Sequence, residues 1–327
     1  MKRIAIFTYI VLAGLISTSC EDFIDLSPQY KISTDDYWYA ASDLENYIVQ
    51  FYPNLASTDM VHYDAGHSDD MVYANLSDIL NGQRIPATGN WIAEWTPIRN
   101  INIFFDNYEK CRDAFELYKH YVGEAHFFRA WFYFGLLKKY GDLPWYSSAM
   151  AIDDEEGLKL PREPRTVIAD HILADLDKAI EYLDVRTLVG NLRINKECAL
   201  AFKTRVALYE GSWQKYHAND EFGTKGTDPD IYFRQCVNAA EELINGNYTA
   251  GIYNTGNPDK DYYDLFGFDN MYNVNEILLY RAFNIADGLY NNDQHYMTER
   301  NTSKAVTWEF VSSYLGKDGK PYDYLNT

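Results

Sequence analysis

Two stretches of the chain gather aromatic rings, carboxylates, amides and an arginine closely enough to hold a polar ligand. Residues 62–99 carry His67, Asp69, Asp70, Tyr73, Trp91, Trp95 and Arg99, and residues 283–296 carry Phe283, Tyr290, Asn292, Asp293 and Tyr296. Sugar recognition uses this mix, with flat rings covering apolar C–H faces while polar groups take the hydroxyls. The same residues have plainer readings. Trp91 and Trp95 stand four apart, on one face of a helix, where core packing accounts for Trp95. His62, Asp64, His67 and Asp69 are metal-ligand types, but a solvated loop explains them better and no metal site is expected. Arg129, inside an aromatic helix, reads as half of a buried structural ion pair rather than a ligand clamp.

Chemistry beyond binding has little support. The chain has no G-x-S-x-G elbow, no P-loop, no Rossmann glycine fingerprint and no H-E-x-x-H pair. Acid pairs such as Asp153-Asp154 and Glu241-Glu242 arise by chance in a chain with 48 Asp and Glu. Glycosidase carboxylates are recognised by their separation in space, which a sequence does not give. The reading is therefore non-enzymatic and without a cofactor. A helical polysaccharide hydrolase or lyase is the alternative from another class, and substituting Asp69 or Asp70 would then abolish turnover.

Cys20 speaks to location. Lys2 and Arg3 precede an apolar run from Ile4 to Ile16, and Ser17-Thr18-Ser19 leads to Cys20. A basic start, a short apolar core and small residues before a cut site make a secretory signal, too short to span as a helix. A cysteine directly after the cut is the acceptor pattern of a bacterial lipoprotein, although Ser17 stands where Leu is usual. The expected product is anchored by acyl chains outside the cytoplasm. With a net charge of −19, the chain does not suit nucleic acid or electrostatic docking on anionic lipid, so the lipid must do the anchoring. Cys111, Cys198 and Cys236 lack C-x-x-C spacing and an even partner count, which argues against a disulfide scaffold and a zinc site and favours buried free thiols, with one disulfide as the alternative.

Helices must position these residues. Ser42 to Leu55 opens with a Ser42/Glu45 capping box and carries Leu44, Tyr47, Ile48, Phe51 and Leu55 on one stripe. Residues 56–90 lack periodicity and form a long loop. A helical pattern returns from Asn90, with Pro97 marking a kink or the true start. The next helix runs from Ala114 to Tyr140, with Gly141 at its end. Thr166 is read as the cap of a helix to Leu183, Asn195 as the cap of one to Tyr216, and Asp230 as the start of one stopping at Gly246. Caps at 166, 195 and 230 approach the helix-pair period of tetratricopeptide arrays, without that repeat's signature residues. Glu276 to Ala282 suits a strand, and Val306 to Tyr314 a last helix. The fold class is all-α predominantly: a tetratricopeptide-like helical array with an irregular loop layer and minor β-hairpin content.

Four stretches together resemble the SusD/RagB family of outer-membrane nutrient-binding lipoproteins. They are GEAHFFRAWFYFGLLKKYGDLPW (123–145), LPREPRTVIADHILADLDKAIEYL (160–183), GNLRINKECALAFKTRVALYEGSW (190–213) and TWEFVSSYLGKDGK (307–320), in the family's order. FIDL at 23–26 agrees with them, and Cys198 falls where Ala is common. The resemblance implies a signal peptide at 1–19, an acidic tether at 20–40, a SusD-like helical N-terminal domain at 41–270 and the start of an incomplete C-terminal region at 271–327. It implies a lipoprotein of the cell outer membrane that binds oligosaccharides without cleaving them. Its partner would be a SusC-like TonB-dependent β-barrel transporter, and the acids after Cys20 would mark it for surface export. A RagB-like lid that binds peptides, or a scaffold that binds no ligand, are the other readings. Relatives place ligand contacts on loops in the two aromatic regions. The candidate ligand set is Asp69, Asp70, Tyr73, Trp91, Arg99, Phe283, Tyr290, Asn292, Asp293 and Tyr296.

Overall fold

A computed structural model describes residues 37–55, 70–78, 80–83, 85, 91–151, 153–272, 274–290 and 304–321. Cys20 and its leader, His62, Asp64, His67, Asp69, Asn292, Asp293 and Tyr296 lie outside the described residues. The helices are α1 (Ala41–Val49), α2 (Trp91–Asn107), α3 (Phe115–Tyr140), α4 (Arg165–Tyr182), α5 (Arg186–Val189), α6 (Lys196–Tyr216), α7 (Asp230–Asn245), α8 (Pro258–Gly267) and α9 (Trp308–Ser312). Two strands, β1 (Met71–Tyr73) and β2 (Lys304–Val306), pair antiparallel with Met71 opposite Val306, and Asn284 bridges Leu289 across a tight turn. The architecture is the expected helical array with little strand.

α3 is the centre. Fourteen of its 26 residues are buried, on every side, as expected of a helix enclosed by neighbours rather than lying on a surface. α1, α2 and α4 pack against it, α6 against α4, and α7 against α6. Gly141, at φ 71°, ends α3 in the left-handed region that favours glycine. Two helical glycines set close approaches. A Cβ on Gly123 would lie 2.9 Å from the backbone nitrogen of Leu183, and one on Gly211 would lie 2.8 Å from the Phe233 ring.

Two buried arginines and a half-buried one tie these helices together. Arg129 of α3 grips Asp175 of α4 through two 2.7 Å bonds, and His126 adds a third contact to that carboxylate at 2.7 Å. Arg165 of α4 holds Glu210 of α6, Nη2 to Oε2 at 2.8 Å, with its guanidinium 4.0 Å from the Trp213 ring centre. Arg193, just before α6, reaches Glu124 of α3 at 2.8 and 2.9 Å and also pairs with Glu45 of α1. The Tyr52 hydroxyl donates to Glu124 as well. Burying a charge is tolerable only when it is paired and its remaining bonds are made, so these pairs fix which helix meets which. Arg129 is thus the structural pair anticipated for it. Cys111, Cys198 and Cys236 are free, and burial pushes the Cys198 thiol up to about 12.

Several boundaries differ from expectation, and the reason is capping at a distance. Ser42 and Glu45 do not form a capping box. α1 opens at Ala41, whose N–H donates to Asp113 at 2.8 Å, while the Ala40 N–H donates to Asp43 and Glu45 serves Arg193. α1 also ends at Val49, followed by a 3₁₀ turn over Tyr52–Asn54. Thr166 does not cap α4 but lies inside its first turn; the Arg165 N–H donates to Asp142, 23 residues upstream. α2 starts at Trp91 with Pro97 inside it, so the proline is not the start. Asn195 does cap α6, accepting from the Cys198 N–H at 3.0 Å. Residues 276–282 form no strand, because side chains take their backbone groups: Arg186 binds the Ile277 carbonyl at 2.9 Å and Asn195 the Leu278 carbonyl at 3.0 Å. Only α9 and the preceding strand β2 occupy the region predicted as one helix from Val306 to Tyr314.

Candidate functional site

A cleft of about 480 Å³ opens beside the first half of α2. α2 supplies Trp95, Thr96, Ile98, Arg99 and Asn102; the segment after α3 supplies Pro144, Tyr146, Ser148 and Met150; the 3₁₀ turn Gly157–Lys159 and its exit add Leu158, Leu160 and Arg162. Backbone bonds between Leu143 and Glu163, at 2.8 and 3.2 Å, hold the two connecting segments side by side.

The cleft wall is built on the helical core. The Tyr146 N–H donates to the Tyr133 hydroxyl of α3 at 2.8 Å. The buried Asn102 amide donates to the carbonyls of Tyr146, at 2.8 Å, and Ser148, at 3.3 Å. Its oxygen accepts from Arg129 Nη1 at 3.4 Å, which links the cleft to the Arg129–Asp175 pair. Asp106, one turn further along α2, accepts from the Ser148 hydroxyl at 2.7 Å and the Ala149 N–H at 2.8 Å. The Tyr146 hydroxyl donates to the Gly157 carbonyl at 3.1 Å. Burial first, and then the Asp154 charge, raise the Tyr146 pKa, so the ring keeps its proton. Trp95 meets Tyr133 and Tyr146 edge to face, with ring centres 6.0 and 5.5 Å apart. An apolar ring surface, hydroxyl and amide groups and two guanidinium groups therefore share one cavity of ligand size.

The predicted residues fall in separate places. Arg99 is exposed at the cleft, and Trp95 both packs on the core and lines it. Trp91 is the first residue of α2, and its side chain lies outside the described residues. Asp70, exposed, and Tyr73, half-buried, stand at the β1–β2 pair, where the Asp70 carbonyl accepts from the Thr307 N–H at 2.9 Å. Phe283 and Tyr290 are exposed on either side of the Asn284–Leu289 bridge, with Arg281 5.9 Å from the Phe283 ring centre. Of the candidate ligand residues whose side chains are described, Arg99 alone lines the cleft. Tyr146, Ser148 and Arg162 went unrecognised; the signal was the Gly141-Asp142-Leu143-Pro144 turn, which reverses the chain toward α2.

A larger groove of about 730 Å³ lies on the opposite flank of α3, between the end of α1 and residues 279–282. Its guanidinium groups include Arg193, which is committed to Glu124 and Glu45, and its walls, among them Leu55, Trp131 and Leu279, are mainly apolar. Among the described residues no three His, Cys, Asp or Glu side chains gather to hold a metal ion, and no helix is long and apolar enough to cross a membrane.

The sequence profile of the SusD-like family described as starch-binding and associating with the outer membrane matches residues 22–208. SusD-like protein P38 of Formosa agariphila is 25% identical over 224 residues, which are 65% of this chain and 44% of that protein. The chain thus spans less than half the length of this curated relative. Two solved structures share the fold. A SusD-like protein of Bacteroides fragilis superposes with a TM-score of 0.68 at 20% identity, covering 91% of this chain and 57% of that one. A SusD-like carbohydrate-binding protein of the same species gives 0.69 at 17% identity, covering 89% and 56%. The profile match takes in more than half of the chain, and its helical body is that of these structures: the protein belongs to the SusD-like family.

Proposed function

We propose that the chain is a non-catalytic glycan-binding lipoprotein of the cell surface, tethered through Cys20, that delivers oligosaccharide to a SusC-like TonB-dependent outer-membrane transporter. The observation that carries the reading is the α2 cleft. Trp95 and Tyr146 offer ring surface beside the polar groups of Thr96, Arg99 and Ser148. None of its twelve described lining residues is Asp or Glu, the pair that glycoside cleavage ordinarily needs. Asp70, Tyr73, Phe283 and Tyr290, set on other loops, are proposed as outer contacts for a longer chain, together with Asp69, Trp91, Asn292, Asp293 and Tyr296.

Titration calorimetry against an oligosaccharide panel, run beside a reducing-end assay, tests the reading. Saturable binding without new reducing ends is expected, and release of reducing ends without saturable binding would overturn it. Cys20→Ser should move the protein from the membrane fraction to the soluble one. Delivery predicts that the protein copurifies with a TonB-dependent barrel from mild detergent; growth on the bound glycan that does not depend on this chain would contradict it.

A further inference from the structure

We infer that the α2 cleft selects acidic glycans, and specifically sugars bearing a uronate carboxylate, an assignment that rests on the glycan-binding reading above. The chain carries 48 Asp and Glu against 29 Lys and Arg, yet the cleft's described lining holds two guanidinium groups, Arg99 and Arg162, and no carboxylate. The arginines of the helical body differ. Arg129, Arg165 and Arg193 are each matched by a carboxylate within 2.9 Å. Arg99 is exposed and has no ion-pair partner among the described residues.

Three neighbouring carboxylates have other partners. Asp106 accepts from Ser148 and Ala149, and Asp154 accepts from the Gly157 N–H at 2.9 Å. Glu94 pairs with Lys139 at 3.1 Å. What faces the cavity is therefore the Arg99 guanidinium, without an ion pair among the described residues, in a described lining that holds no carboxylate. A guanidinium fork matches a planar carboxylate through two parallel hydrogen bonds, and the flat Trp95 and Tyr146 rings beside it suit the sugar's C–H face. Low-dielectric walls strengthen this local attraction, which must outweigh the repulsion that the protein's net negative charge exerts on any anion.

The test pairs short oligouronates, of galacturonate, glucuronate and mannuronate, with their methyl-esterified forms, which keep size and lose the charge. Neutral malto-oligosaccharides and a sulfated galactan complete the panel, with affinity read by calorimetry at low and at raised salt. At least one oligouronate should bind about tenfold or more tighter than its ester, with the advantage shrinking as salt rises. Arg99→Gln and Arg162→Gln, both at exposed positions and each checked by thermal melting, should erase most of that advantage by weakening the oligouronate far more than its ester. Equal affinity for acid and ester, or tight neutral-sugar binding indifferent to both variants, would overturn the charge selection and leave glycan binding standing. Preference for the sulfated galactan over every uronate would overturn the carboxylate assignment. Failure of every sugar to bind would overturn the glycan-binding reading and this inference with it.

Discussion

Residues 91–245 and residues 247–290 draw on the same kinds of side chain and use them in opposite ways. In the first region arginines meet carboxylates and rings interlock: Phe127, Trp131 and Phe134 of α3 close on Phe202 of α6 with ring centres 5.1–5.6 Å apart. In the second region only Asp261, Leu265 and Val274 are buried among the described residues, and Tyr262, Tyr263 and Phe266 are more than two-thirds exposed. Its order comes instead from donors lent by the helical body. Arg186 binds the carbonyls of Val274, Asn275 and Ile277 and the Thr249 hydroxyl, Asn191 the Met271 carbonyl, and Asn195 the Leu278 carbonyl. One region is held by burial and internal pairing, the other by a few bonds of its own, such as Tyr253 N–H to Glu276, and by polar side chains lent from the helical body.

The largest loss of stability is expected inside the first region. Arg165→Met leaves Glu210 fully buried without its charge partner, and a loss of about 3–5 kcal/mol in urea unfolding is expected. Removing both charges, with Glu210→Leu added, should recover much of that loss; no recovery would mean that packing around Trp213, rather than the charge, carries the effect. Acid probes the same design at Asp175. Burial works to raise its pKa, but hydrogen bonds from Arg129 and His126, with the Arg129 charge, hold it below the ordinary carboxylate value. A folded-state pKa below the unfolded one gives stability that is present above about pH 3.9 and is lost as pH falls through the folded value. The urea midpoint of the wild type should therefore drop below about pH 4, and its advantage over Asp175→Asn should narrow there.

Next in size are the close approaches. Gly123→Ala would press a methyl group against the Leu183 backbone, and Gly211→Ala would press one into Phe233. Each should cost about 1–3 kcal/mol. Gly135→Ala, on the same α3 with open space beside it, should stabilise slightly instead. A null result at Gly123 would show that α3 and the end of α4 have room to part.

The helical body was legible in the sequence because its signals are local. The apolar run of α3, the Gly141 stop and the Asn195 cap each act within a turn of themselves. What the sequence hid acts at long range. Asp113 and Asp142 cap helices 72 and 23 residues away in the chain, so Ser42 and Thr166 looked like caps and were not. The segment Glu276–Ala282 has the residues of a strand, but its carbonyls go to Arg186 and Asn195, and no neighbouring strand remains to pair with it. The cleft follows the same pattern. Arg99 was visible as a charge beside tryptophans on a predicted helix. Tyr146 and Arg162 join it only because Asn102, Asp106 and the Leu143–Glu163 bonds fold the intervening segment back, which no spacing reveals.

The second region should break separately from the first. Arg186→Met deletes the donors to three carbonyls and Thr249 together, so amides between residues 247 and 280 should exchange faster with solvent, by about 1–2 kcal/mol of local opening energy. The amides of α3 and α4 should keep their protection. Equal loss in both regions would mean that the two unfold as one unit and that the contrast drawn between them is only one of composition.

Asn195 works for both regions at once. Its oxygen caps α6 and its amide nitrogen reaches the Leu278 carbonyl. Asn195→Ala removes both bonds, with about 1–2 kcal/mol of global stability expected from the lost cap and the unpaired groups left behind. Asn195→Ser keeps an oxygen able to accept from the Cys198 N–H but is too short to reach Leu278. It should restore most of the unfolding midpoint while leaving the exchange rates near residues 278–280 raised. If serine restores both, the Leu278 bond is incidental to how the segment is held. If it restores neither, the amide matters more for its donors within the Gly190–Arg193 turn, whose carbonyls it also binds at 3.3 and 3.2 Å, than for either region's order.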